Sequence, residues 1–281
     1  MNSLITISVE QGLIFAVLAM GVFITYKILD FPDMSVEGTF PLGAFIFAKF
    51  ATAGINPVAS TLLAFAFGSL AGIITYFLHI KMRIASLLAG ILTMTILYSI
   101  NLRINGKANI PLYNNGSVFD YGNKILVLIV IVLIIKVLMD LFLKTEIGYL
   151  LIATGDNETL VKSLGVSCDK FKLLGLVLSN GIVSVSGALM AQSQGFSDIN
   201  MGTSIIVSAL ASIIIGDTIL KKSNRIKGTT RAILGAISYK LIGGLAIDLG
   251  FAPTDLKAIS ALIVIVFIGY NNMSFFNFKK R

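Results

Sequence analysis

The sequence predicts an all-α, polytopic transmembrane helical bundle of about nine spans with discontinuous helices, its N-terminus outside and its C-terminus inside. Three observations carry that prediction. The 281 residues are 56% hydrophobic and only 13% charged, with a mean hydropathy of +0.91, far from the composition of soluble domains. Apolar runs of crossing length follow one another, each bounded by charge or by Gly, Pro and Asn. At roughly 20 residues per crossing, the length leaves no room for a sizeable soluble unit. Residues 1–281 therefore read as one membrane domain.

The runs lie at 11–29, 40–53, 57–78, 84–100, 125–143, 171–192, 202–220, 232–247 and 256–270. The opening MNSLITISVEQ has no basic segment and no small-residue cleavage site, so it reads as part of the first span. Basic residues set the orientation. Segments 79–83 and 221–231 and the tail Lys279-Lys280-Arg281 are the most basic and belong in the cytoplasm. That puts 101–124 and 248–255 outside, although Arg103, Lys107 and Lys124 in the former run against the trend. The net charge of +8 is accounted for by these short segments, and no nucleic-acid partner is expected. A single cysteine, Cys168, excludes an intrachain disulfide and a cysteine metal cluster, and reads as an inert thiol.

The second run is short and is led by segment 30–43, where Asp30, Asp33, Glu37, Pro32, Pro41, Gly38 and Gly43 should break a helix. Two readings stand. One is a discontinuous helix, whose irregular backbone is tolerated at membrane depth when it is buried in protein or lines a watery path. The other is an ordinary turn with Asp33 or Ser35 as helix cap. A second polar break, 195–203, precedes the seventh run. Its Asp198-Ile-Asn-Met-Gly-Thr203 echoes Asp33-Met-Ser-Val-Glu-Gly-Thr39 with one residue deleted, and five spans of separation would bring the two in from opposite sides. One gapped match does not by itself establish a repeat. Ser35, Glu37, Thr39, Asn200 and Thr203 are the candidate pathway residues.

No P-loop, H-E-x-x-H or G-x-S-x-G pattern occurs, and the sole histidine is His79. No catalytic set and no metal-ligand set can be read. Acids are concentrated in loops, with Asp140 near a span end, rather than forming an intramembrane proton chain.

The polar island that begins at Glu146 and runs into the sixth span suggests short helices. Its segment 145–169 is the candidate coupling element. Asn157 to Leu164 has the marks of an independent helix, with Thr154 or Asp156 as cap and Gly165 as the left-handed terminator. Asn157, Leu160, Val161 and Leu164 would share one face while Glu158, Lys162 and Ser163 point away. A helix this short does not hold itself in water. Its stripe must dock either into a groove on a cytosolic partner or onto its own bundle and the lipid surface. In the sixth span, Asn180, Gly181, Ser184, Ser186 and Gly187 read first as close helix packing, with pathway lining as the lesser reading.

Gly155-Asp-Asn-Glu158, Ser163-Leu-Gly165 and 173–189 with Gly187-Ala-Leu resemble the coupling loop and following helix of ABC importer permeases of the branched-chain amino acid and ribose type. Segments 33–44, 88–103 and 195–202 resemble a branch of shorter permeases associated with aromatic amino acid uptake. The resemblance spans about 12–270. Leu150-Leu-Ile-Ala-Thr154 lacks the arginine such loops often carry before the alanine, so an ion pair from that position is not expected.

The resemblance implies a permease homodimer in the cytoplasmic membrane, two cytosolic ATPase subunits that bind the ATP and magnesium, and an extracytoplasmic substrate-binding protein. No cofactor is implied for this chain. Gly155, Asp156, Asn157, Glu158, Leu160, Val161, Leu164 and Gly165 would couple to the ATPase, and 101–124 is the candidate dock for the binding protein. Its Asn115-Gly-Ser117 reads as a turn. The competing reading is a self-sufficient ion-driven carrier using Asp33 and Glu37, and a third is a membrane scaffold. No side-chain set identifies the substrate.

Overall fold

The computed structural model describes residues 2–220 and 226–252, together with isolated positions between 255 and 269. Helices α1 (Asn2–Phe23), α2 (Val36–Thr52), α3 (Pro57–Tyr76), α4 (Ser86–Asn105) and α5 (Lys124–Phe142) form the first half. Then come the short α6 (Glu146–Asp156) and α7 (Glu158–Ser163), followed by α8 (Cys168–Gln194), α9 (Ile205–Leu220) and α10 (Gly228–Asp248). Strands β1 (Asn109–Pro111) and β2 (Phe196–Asp198) pair antiparallel, with Ile110 opposite Ser197. Among the described residues, seven helices are long and apolar enough to cross a membrane. They coincide with seven of the nine runs. The second run is the 17-residue α2, the ninth, 256–270, is described only at isolated positions, and 221–225 and the tail 279–281 lie outside the described residues.

α1, α2 and α8 make the centre. From Leu13 to Ile24, α1 is buried on all sides, and α2 buries Phe40, Phe45 and Phe47 almost completely. A helix that is apolar all round belongs inside a bundle. α8 approaches its neighbours through small residues. A β-carbon on Gly43, Gly68, Gly72 or Gly187 would collide with the backbone or side chain of a facing helix. Ser184 Oγ donates to the Ala64 carbonyl at 2.6 Å and Ser186 Oγ to the Ile14 carbonyl at 2.8 Å. These two serines and Gly187 are packing residues, as their size suggests. By contrast, α5 presents Leu126, Val130, Leu133, Ile134, Val137, Leu138 and Leu141 outward.

The bundle has two chemically distinct ends. At the ribbon end, β1–β2 lies beside the 101–124 segment, where Asn115 Nδ2 donates to the Ala51 carbonyl at 3.1 Å and Ser117 caps a short 3-10 turn. The Asn115-Gly-Ser117 sequence is thus a turn with its amide already engaged. At the coupling end, ion pairs join the helices: Lys27 to Asp217 at 3.0 Å, Arg231 to Asp217 at 3.2 Å, and Lys136 and Lys227 to Asp140 at 2.8 and 2.9 Å. Thr229 adds a 2.6 Å hydrogen bond to Asp140.

Candidate functional site

The first break begins where α1 ends in a π-helical turn, Ile24–Ile28. Leu29 packs against Gly175 of α8. From there the chain climbs without helical structure to Ser35, level with Asn180, which is ~7.5 Å further along α8 at 1.5 Å per residue. Asn180 sits midway along that helix. Unpaired backbone and side-chain polar groups are costly at this depth, and the sequence supplies a closed set of partners. Asp33 Oδ1 accepts from Ser35 N–H at 2.9 Å and Ser35 Oγ at 2.5 Å. Asn180 Nδ2 donates to Asp33 Oδ2 at 2.9 Å and to the Leu176 carbonyl at 3.1 Å. Thr39 Oγ1 donates to Asn180 Oδ1 at 2.6 Å. Asp33, Ser35, Thr39 and Asn180 are all buried.

The second break enters from the ribbon end. Asp198 Oδ1 accepts the Asn200 N–H at 2.8 Å, and a 3-10 turn, Ile199–Gly202, leads to Ser204 at φ 62° and then α9. This turn reaches the first break. Pro41 has no N–H to offer the Glu37 carbonyl, and Gly202 lies against that carbonyl, where a β-carbon would collide with it.

Of the five sequence-predicted pathway residues, Ser35 and Thr39 are buried in the knot around Asn180, Glu37 is half-buried, and Asn200 and Thr203 are exposed. Asp33 and Asn180, the members that tie the first break to α8, were not among them. By sequence, Asn180 reads first with the packing residues of its span. The signal was an amide in mid-span, which needs a partner from another segment.

The coupling element departs from expectation in two respects. Its cap is Asn157, whose Oδ1 accepts from the Leu160 N–H at 3.1 Å. Thr154 instead lies within α6, donating to the Leu150 carbonyl, and Asp156 is the last residue of that helix. The predicted apolar stripe is divided: Val161 is fully buried, whereas Leu160 and Leu164 are 54% and 66% exposed. With only six residues in α7, one inward position is enough to seat it. Gly165, at φ +76°, ends it as expected. Glu158 pairs with Lys162 at 3.2 Å and with Lys172 of α8, and these lysines hold its carboxyl below the ordinary glutamate value. Gly155 packs on the Ile28 carbonyl at the foot of the first break. Asp156 faces a cavity of about 350 Å³ shared with Lys27 and Lys227.

In this architecture α6 and α7 stand outside the spanning helices and the two breaks meet within them. Residues 4–269 match the family described as the branched-chain amino acid transport system / permease component. The chain belongs to that family. It is 48% identical over 275 residues to the tyrosine transport system permease protein of Clostridioides difficile, across 98% of this chain and 93% of that one. Two solved structures share its fold. PsaBC from Streptococcus pneumoniae in complex with Fab gives a TM-score of 0.52 at 16% identity, over 92% of this chain and 89% of that chain. A metal-chelate type ABC transporter in an inward-facing conformation gives 0.51 at 15% identity, over 94% and 83%. The chain is therefore the membrane-embedded permease subunit of an ABC transporter, and its partners include ATPase subunits.

Proposed function

We propose that this permease works in an importer for an aromatic amino acid, with tyrosine as the first substrate to test. Similarity at 48% identity over nearly the whole chain to a tyrosine transport permease supports the substrate class. In this reading the coupling end faces the cytosol, the ribbon end receives an extracytoplasmic binding protein over 101–124, and two copies of the chain enclose the pathway. The observation that carries the pathway is the exposure of Asn200 and Thr203, which flank the Gly202 turn that lies against the Glu37 carbonyl. Polar groups at membrane depth do not face lipid. They border water and a second copy of the chain, while Ser35 and Thr39 fix the backbone behind them. ATP-driven motion enters through Gly155 to Gly165, with exposed Leu160 and Leu164 offered to the ATPase and Val161 anchoring α7 to its own bundle.

The test is reconstitution of the permease with its ATPase subunits and binding protein in vesicles, following radiolabelled tyrosine. Uptake is expected only with ATP. Uptake by the permease alone under an ion gradient would instead establish the ion-driven carrier built on Asp33 and Glu37. In the same vesicles Leu160→Asp or Gly155→Pro is expected to leave ATP hydrolysis running while uptake falls at least tenfold. Undiminished uptake by both correctly inserted variants would remove the coupling role.

A further inference from the structure

Two helix ends at the coupling end are built alike. α1 passes into the π-turn Ile24–Ile28 and α3 into the π-turn Phe77–Lys81. In the first, Leu29 N–H donates to the Ile24 carbonyl at 3.0 Å and Phe31 N–H to the Thr25 carbonyl at 2.9 Å. In the second, Met82 N–H donates to the Phe77 carbonyl at 3.0 Å and Ile84 N–H to the Leu78 carbonyl at 3.2 Å. Between each pair of donors one residue takes the left-handed conformation, Asp30 at φ 50° and Arg83 at φ 56°. Neither is glycine, so each terminator holds a conformation that costs about 1–2 kcal/mol for an L side chain.

The two turns also touch. The Phe31 ring meets His79 edge-on with centroids 4.9 Å apart. His79 Nδ1–H donates to the Ile84 carbonyl, which can only accept, at 2.8 Å, closing the second turn on itself. The coupling segment rests on this pair. Gly155 of α6 packs on the Ile28 carbonyl, and Glu158 and Lys172 face Asp30, Phe31 and His79 across a cavity of about 180 Å³. That cavity is closed inward by Leu176, whose carbonyl accepts from Asn180. Lys27, within the first π-turn, reaches Asp217 of α9, which also holds Arg231 of α10.

We propose that the paired π-turns form a hinge that carries movement of α6–α7 into the first break. Single π-turns gather at functional positions in helices, and hinges are a few helix-terminal residues that absorb a change in φ and ψ. Here one such turn meets the coupling segment, the facing turn, the α9–α10 ion pairs and the chain leading to Asp33. The cavity between the touching turns and Glu158 and Lys172 gives the coupling segment room to move against them. The hinge rests on the ATP-driven reading above.

The experiment joins the turns reversibly. In a chain carrying Cys168→Ser, Phe31→Cys and His79→Cys, a short cleavable thiol-to-thiol reagent links the two positions in vesicles that hold the ATPase and binding protein. Tyrosine uptake is expected to fall at least tenfold on linking and to return on cleavage of the reagent. Uptake that continues unchanged with linking complete overturns the hinge. A second variant needs no linking: Asp30→Gly with Arg83→Gly keeps the left-handed residues but removes their side-chain restraint. It is expected to lower tyrosine moved per ATP hydrolysed several-fold, and an unchanged ratio counts equally against the hinge. Failure of the unmodified chain to take up tyrosine with ATP overturns the transport reading instead, so the two failures are distinct.

Discussion

At the first break Asp33 accepts the Ser35 N–H at 2.9 Å, and at the second Asp198 accepts the Asn200 N–H at 2.8 Å. Each break thus opens with a carboxylate bonded two residues ahead, and each then turns into a helix. Their surroundings differ. Ser35 and Thr39 are buried against Asn180, while the matching Asn200 and Thr203 are exposed. The shared local chemistry bends the chain, and the side chain supplied by a neighbouring helix decides whether a break becomes a lock or a surface. α8 places buried Asn180 against the first; at the second, Asn109 of β1 donates to Asp198 Oδ2 at 3.1 Å, an exposed contact that leaves Asn200 and Thr203 open.

The strongest way to break the comparison is to remove the lock. Asn180→Leu leaves Asp33 and Thr39 buried without their amide partner. Loss of a partner to a buried carboxylate costs roughly 3 kcal/mol. Thermal unfolding of the detergent-solubilised protein should therefore begin several degrees lower, and uptake should be lost. An unshifted transition would show that the first break holds itself in place and that α8 is a bystander.

Next in size is Gly202→Val, which tests whether the second break needs the first. The new side chain meets the Glu37 carbonyl, and forcing extra methyl groups into packed space costs about 1–3 kcal/mol. Uptake should fall sharply with a smaller loss of stability than Asn180→Leu produces. Equal stability losses would mean the breaks form one unit rather than a lock and a surface.

Both breaks are legible in the sequence because Pro, Gly and Asp within apolar runs have few uses at membrane depth. The described spans are legible too, since hydropathy determines them almost alone. What stayed hidden depended on contacts between distant segments. Asn180 and Ser184 look alike in a run of small and polar residues, yet one partners a carboxylate 147 positions away and the other bonds the Ala64 carbonyl. Asp140 looked like a span-end acid and is the junction of Lys136, Lys227 and Thr229. In the coupling element, periodicity placed Leu160, Val161 and Leu164 on one stripe. Helical spacing alone does not say how far around a six-residue helix the bundle reaches, and it reaches only Val161.

A smaller structural effect sharpens the functional side. Asn200→Ala with Thr203→Ala removes exposed polar groups, a change within about 0.5 kcal/mol for surface positions. Tyrosine uptake should nevertheless fall several-fold if these groups border the pathway. The same pair at the first break, Ser35→Ala with Thr39→Ala, should show the opposite balance, with stability lost first. Matching profiles for the two double variants would erase the distinction between the breaks.

The smallest expected effect tests whether the foot of the first break answers to the coupling element. Glu158 lines the same cavity as Leu29, Asp30 and Phe31, and the hydrogen bond and charge of Lys172, with Lys162, hold its carboxyl below the ordinary value of 4.5. A depressed carboxyl stabilises the folded form fully above about pH 4.5, and that stabilisation is lost as pH falls through the folded value beneath it. Because Glu158 is 40% exposed, solvent screening keeps the effect below about 1 kcal/mol. The protection factors for amide exchange in vesicle-embedded protein, measured against the intrinsic rate at each pH, should therefore fall at 158–163 as pH drops below 4.5, and at 29–31 with it. Residues 198–203, on the other break, should not respond. Glu158→Gln should flatten the pH dependence at both responding segments. A response confined to 158–163 would show that α7 moves without the first break, and would leave the two breaks equally remote from the ATPase.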